Sequence, residues 1–153
     1  MKDFPHHYSV QASAGAEADV PLTAVGIPAL ATASPAEFGG PGDRWSPETL
    51  LVGAAADCFA ITFRGVARAS GLTWTALTCE VAGTLDRVDG ALRFTTIDVH
   101  ARLAVPDDTS DALARRVLDK AKRSCLITNS LTADVQLRTT IETRSGILDA
   151  CLG

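Results

Sequence analysis

No two of the four cysteines, Cys58, Cys79, Cys125 and Cys151, stand at C-x-x-C spacing. A zinc site would need Cys and His ligands gathered from distant parts of the chain, and nothing in their placement announces one. No metal or other cofactor is therefore expected. The 14 lysines and arginines are scattered. They form neither a nucleic-acid footprint nor a basic helix for a membrane surface. The opening "MKDFPHHYSV" holds two histidines and a proline where a signal peptide needs an apolar run. The longest low-charge stretch, 45–63, is interrupted by Pro47, Glu48 and Asp57, so no transmembrane span is read there. These absences point to a soluble cytoplasmic protein without nucleic-acid or membrane partners. In a reducing cytoplasm structural disulfides are rare, and cysteines are buried, metal-bound or reactive.

What is present is ordinary globular material. The 153 residues suit a single domain, 1–153, with 46% hydrophobic and 21% charged residues and a net charge of −4. That length can bury a core without disulfides or metal. Residues 4–43 read as two or three short strands, and "PAEFGGPGDR" as a loop dominated by Gly and Pro. Ser46 is a good N-cap, Pro47 fits the first helical position, and Glu48 suits the positive end of the helix dipole. This long helix runs to about Ser70 and stops at Gly71. Its few charges leave most of its circumference apolar, which predicts burial on most sides.

Downstream, alternation through Cys79, Val81 and Gly83 and then through Phe94 to Ala101 predicts a hairpin, with Asp89-Gly90 as its turn. "PDDTSDALARRVLDKAKRS" is a second helix, acidic at its start and basic at its end, with Leu113, Val117, Leu118 and Ala121 on its apolar face. A turn then leads to a final strand. Mixed strands and helices with antiparallel pairing give an α+β class.

Two cysteines have informative surroundings. Cys58 shares a helix face with Leu51, Ala54, Ala55, Thr62 and Val66, where a free cysteine is either small apolar filling or a nucleophile. Cys125 follows Lys120, Lys122 and Arg123, whose charge would lower a thiol pKa unless they form only a solvated helix end. From its position Cys125 either caps the second helix or opens another turn.

"SPETLLVGAAADCF" resembles the helix motif of the OsmC/Ohr family, the osmotically inducible and organic hydroperoxide resistance proteins. There a proline-glutamate pair, here Pro47-Glu48, precedes the reactive cysteine, here Cys58. The family's second cysteine follows a helix some 65 residues on; "CLITNSL" begins at Cys125, 67 residues after Cys58. The order of elements agrees over residues 4–143, leaving 144–153 as a tail. The resemblance implies an OsmC-like fold, antiparallel strands around a long central helix, in an intertwined homodimer with active sites at its interface. It also implies a thiol peroxidase that reduces organic hydroperoxides without metal or haem. Cys58 would be the peroxidatic thiolate, Cys125 the resolving thiol, and an external dithiol the reductant.

Glu48 precedes Cys58 by ten residues, roughly 15 Å of helical rise. On one straight helix it cannot touch the thiol, so a part for Glu48 needs a break in the helix or a partner chain. The family also pairs an arginine with the cysteine and glutamate. Residues 1–43 hold no arginine, so Arg44 is the first candidate for that role, with Glu48 orienting it. At most one of the adjacent His6 and His7 could face a site from a strand. Cys79 reads as core and Cys151 as part of the tail. Trp45, Phe38, Phe59 and Phe63 are either core or the wall of an apolar pocket. The competing readings are a dimeric binding or redox-sensing module with little turnover, and a purely structural dimer with inert thiols.

Overall fold

A computed structural model of the chain describes residues 3–143. The fold divides into two compact units after Leu51. In the first, β1 (Gln11–Ala12), β2 (Val20–Ala24) and β3 (Ile27–Thr32) form an antiparallel sheet in that order. The Thr32 hydroxyl donates to Val20 O at 2.7 Å, tying the end of β3 to the start of β2. The segment read as a plain loop holds one short 3₁₀ turn, Ala36–Phe38.

Helix α1 (Pro47–Ala69) begins where its capping chemistry requires. Ser46 Oγ accepts from Thr49 N at 3.2 Å, and Ser46 N donates to Thr49 Oγ1 at 2.8 Å. This is a reciprocal capping box with threonine in the place usually held by a glutamate. At the other end Leu72 N reaches back to Ala67 O at 3.0 Å, closing the helix just past Gly71.

In the second unit, β4 (Ala76–Val88) and β5 (Ala91–Val105) form the expected hairpin. Asp89 and Gly90 take φ of 52° and 80°, the left-handed pair that a two-residue turn needs to match strand twist. Alternation then sorts the side chains. Ile97, Val99, Ala101, Leu103 and Val105 are buried on one face of β5, while Asp98 is exposed on the other. Helix α2 (Asp111–Ser124) lays Ala114, Val117, Leu118 and Ala121 into this core, and α1 adds Ala55, Phe59, Phe63 and Ala67. Gly83 lets α1 come close: a Cβ there would stand 2.8 Å from Phe94 Cδ1 and 2.9 Å from Val52 Cγ2. Phe63 meets Trp74 edge-on with ring centroids 5.2 Å apart.

The last strand departs from the antiparallel expectation. After α2 and the short α3 (Leu126–Asn129), β6 (Asp134–Thr143) pairs with β5 in parallel. An intervening helix allows the chain to return to the end of β5 where that strand started, which a tight turn cannot do. The sheet order is β4-β5-β6, with β5 central.

Candidate active site

Cys58 lies half-buried on α1, beside the buried stripe of Ala55, Phe59, Phe63 and Ala67. Its Sγ is 3.9 Å from Thr62 Oγ1, one helical turn further on. Cys125 sits between α2 and α3 and is fully buried. It ends the first helix, with its N–H donating to Lys122 O at 3.3 Å, and starts the second, with its carbonyl accepting from Asn129 N at 3.0 Å. The sequence left those two roles as alternatives, and Cys125 fills both. The Thr128 hydroxyl donates to the same carbonyl at 3.2 Å and fixes the junction.

The fold brings the two thiols near enough to interact: Cys58 acts on the ionisation of Cys125. Burial pushes the Cys125 thiol above its ordinary value; the contacts from Thr128 lower it, and the hydrogen bond and charge of Cys58 raise it again. Burial thus makes the Cys125 thiol harder to ionise than an exposed thiol. The two remaining cysteines separate. Cys79 packs against the same core cluster, opposite Ala101 on β5, and burial together with the nearby Cys125 pushes it up to about 11. Cys151 lies outside the described residues.

Arg44 makes exposed ion pairs within the first unit, Nε to Asp19 Oδ2 at 2.8 Å and Nη1 to Asp43 Oδ2 at 3.1 Å. Both aspartates, Asp19 foremost, hold its guanidinium further in the charged form. Glu48 lies in the first turn of α1, and its Oε2 is buried with no hydrogen-bond partner among the described residues. Helix α1 runs unbroken through both Glu48 and Cys58. His6, His7 and Asp57 are exposed. Phe59 and Phe63 are core, while Trp45 and Phe38 are each about half exposed. Among the described residues no group of three or more His, Cys, Asp or Glu side chains is arranged to hold a metal ion.

A surface depression of about 610 Å³ lies over the polar face of the second unit's sheet, bordered by Glu80, Asp98, His100, Gln136 and Arg138. There Arg102 Nη1 donates to Glu80 Oε2 at 3.1 Å, and His100 Nε2 meets Thr140 Oγ1 at 2.9 Å. Strand alternation puts this depression on the opposite side of the sheet from Cys79 and the buried core.

The sequence did not single out Thr62 or Thr128 as contacts of the thiols. Thr62 shares the Cys58 face at i+4 spacing, a signal that was present. Thr128 meets Cys125 only because α2 ends in a tight junction.

An α+β fold with two thiols converging on one apolar cluster is the class of molecule these features define. The OsmC-like protein family matches residues 40–140. The chain belongs to that family. It is 30% identical over 137 residues to the uncharacterized protein YmaD of Bacillus subtilis (strain 168), a match covering 87% of this chain and 91% of that one. Among solved structures it is similar to an OsmC-like protein of unknown function from Vibrio cholerae O1 biovar eltor. The TM-score is 0.80 at 14% identity, over 89% of this chain and 100% of the other. It is also similar to an organic hydroperoxide resistance protein OsmC from Legionella pneumophila. There the TM-score is 0.70 at 23% identity, over 90% and 99% of the two chains.

Proposed function

We propose that this protein is a thiol-dependent peroxidase that reduces organic hydroperoxides. The observation that carries the reading is the nearness of a half-buried Cys58 to a fully buried Cys125. The Cys58 thiolate attacks the outer oxygen of the hydroperoxide. The O–O bond breaks, Cys58 becomes a sulfenic acid, and the alkoxide leaves as the alcohol after taking a proton. The Cys125 sulfur then attacks the Cys58 sulfur. An S–S bond forms, the S–O bond breaks, and hydroxide departs as water with the Cys125 proton. An external dithiol reduces the disulfide by exchange and becomes a disulfide itself. The reducing cytoplasm, where such dithiols are kept reduced, is the compartment that suits this cycle.

The reading also takes the protein as a homodimer. The most apolar window of α1 has a mean hydropathy of 1.6, yet only 22% of it is buried within one chain. Ile61 on α1 is 57% exposed and Leu126 at the start of α3 is 65% exposed. A second copy would cover this surface, and it could supply the donor that the buried Glu48 oxygen lacks. Glu48 then contributes across the interface. Arg44 contributes only where it exchanges Asp19 and Asp43 for the thiol.

Counting free thiols after one equivalent of an alkyl hydroperoxide tests the mechanism. The wild type should lose two thiols rapidly, Cys58→Ser should lose none at that rate, and Cys125→Ser should stop at a sulfenic acid. Thiols that persist for hours in all three proteins would sink the peroxidase and leave a binding or redox-sensing dimer as the better reading.

A further inference from the structure

Thr62 follows Cys58 by one turn of α1, and the partner the structure gives its hydroxyl is the Cys58 sulfur, at 3.9 Å. A helical threonine ordinarily turns its hydroxyl to the carbonyl one turn back. Both side chains are half-buried, just off the stripe that packs into the core. The pair is thus partly shielded from water, and neither side chain is sealed in the core. A thiolate has no hydrogen to give, so once Cys58 ionises the hydroxyl can only donate to it. A hydrogen bond to the charged form favours that form. The donor is also preorganised: it rides on the same helix as the sulfur, and no loop or second chain must be ordered to bring it there.

We propose that Thr62 is a positioning residue that donates its hydroxyl hydrogen to the Cys58 thiolate, holding the sulfur ionised and aimed. The inference rests on Cys58 being the nucleophile, and it assigns a neutral donor to that nucleophile's activation. In the proposed cycle Cys125 is consumed when the disulfide forms. Thr62 is consumed at no step, so it serves both in the attack on peroxide and when Cys58 leaves during reduction of the disulfide.

The test is the rate at which iodoacetamide alkylates Cys58 across a range of pH, read by mass on the peptide containing it. The reduced full-length protein is used as wild type, Thr62→Val, Thr62→Ala and Thr62→Ser. Valine keeps the shape and removes the hydroxyl; alanine cannot overpack and guards against a misfolded valine variant. Near neutral pH, Thr62→Val and Thr62→Ala should slow alkylation about tenfold, the lower end of the scale of one hydrogen bond to a charged group. Their rate-versus-pH curves should be displaced to higher pH, and Thr62→Ser should restore the wild-type curve. Wild-type curves in both Thr62→Val and Thr62→Ala would overturn the proposal, as would a Thr62→Ser protein as slow as Thr62→Val. No hydroperoxide enters this measurement. A protein that alkylates as expected yet consumes no hydroperoxide would refute the peroxidase and leave the role of Thr62 standing.

Discussion

Helices α1 and α2 pack into the same core, and one of the two thiols lies on α1 while the other directly follows α2, yet the helices solve different problems. Helix α2 is amphipathic in the ordinary way. Ala114, Val117, Leu118 and Ala121 are buried, while Asp111, Arg115, Arg116 and Lys120 face water. Arg115 Nε donates to Asp111 Oδ2 at 2.7 Å one turn back. One chain completes this helix. Helix α1 buries an equally narrow stripe, but much of the rest of its surface is apolar too. A helix whose composition exceeds what its own chain can cover carries information about a second surface. The thiol on that unfinished helix is the accessible one; the thiol at the end of the finished helix is sealed.

Cutting the shared core gives the largest expected effect. Phe63→Ala on α1 should destabilise the fold by about 3–5 kcal/mol and Leu118→Ala on α2 by about 2–5 kcal/mol, measured by urea unfolding. Comparable losses would show that the buried stripes of the two helices are equivalent; a much smaller loss at Phe63 would mean that the α1 stripe is not core.

The outward faces should then differ. If a second copy covers α1, Ile61→Glu should halve the mass seen by light scattering at micromolar concentration, because an unpaired charge would be buried. Arg116→Glu on the outer face of α2 should leave the mass unchanged. A monomeric wild type, or equal responses to the two changes, would break the contrast.

Cys79, on the strand beneath the helices, sharpens what burial does to a thiol. Its ordinary value is 9.0 and the fold raises it to about 11. Below pH 9 both the folded and unfolded chains hold the proton, and the stability associated with it is fully present. Between pH 9 and 11 only the unfolded chain ionises, so stability is lost as pH rises. Allowing for its half-exposed environment, the loss is about 1–2 kcal/mol. The stability difference between wild type and Cys79→Ala, followed across that window, should show this slope; a flat difference would refute the raised value.

The smallest contrast is at the caps. Ser46 makes reciprocal bonds with Thr49 and is buried, whereas exposed Ser110 accepts from Leu113 N at 3.3 Å. Ser46→Ala should cost about 1–2 kcal/mol and Ser110→Ala about 0.5–1 kcal/mol in urea unfolding.

Local chemistry determined much of this protein from the sequence alone. Ser46-Pro47 opens α1 and Gly71 closes it, Asp89-Gly90 turns the hairpin, and the alternation through Phe94 to Ala101 assigns the faces of β5. Each of these depends on residues within a few positions of one another, where backbone sterics and side-chain capping act directly. The spacing of Pro47-Glu48, Cys58 and Cys125 was likewise legible, and with it the family. Only the tertiary structure decided the rest. The parallel pairing of β6 with β5, the nearness of Cys125 to Cys58, and the raising of the Cys125 thiol by burial all depend on groups distant in sequence. The ion pairing of Arg44 with Asp19, 25 residues away, is of the same kind. Contacts of this sort form when chain segments converge on a common core, and burial and electrostatic strength take their values from that convergence rather than from residue identity.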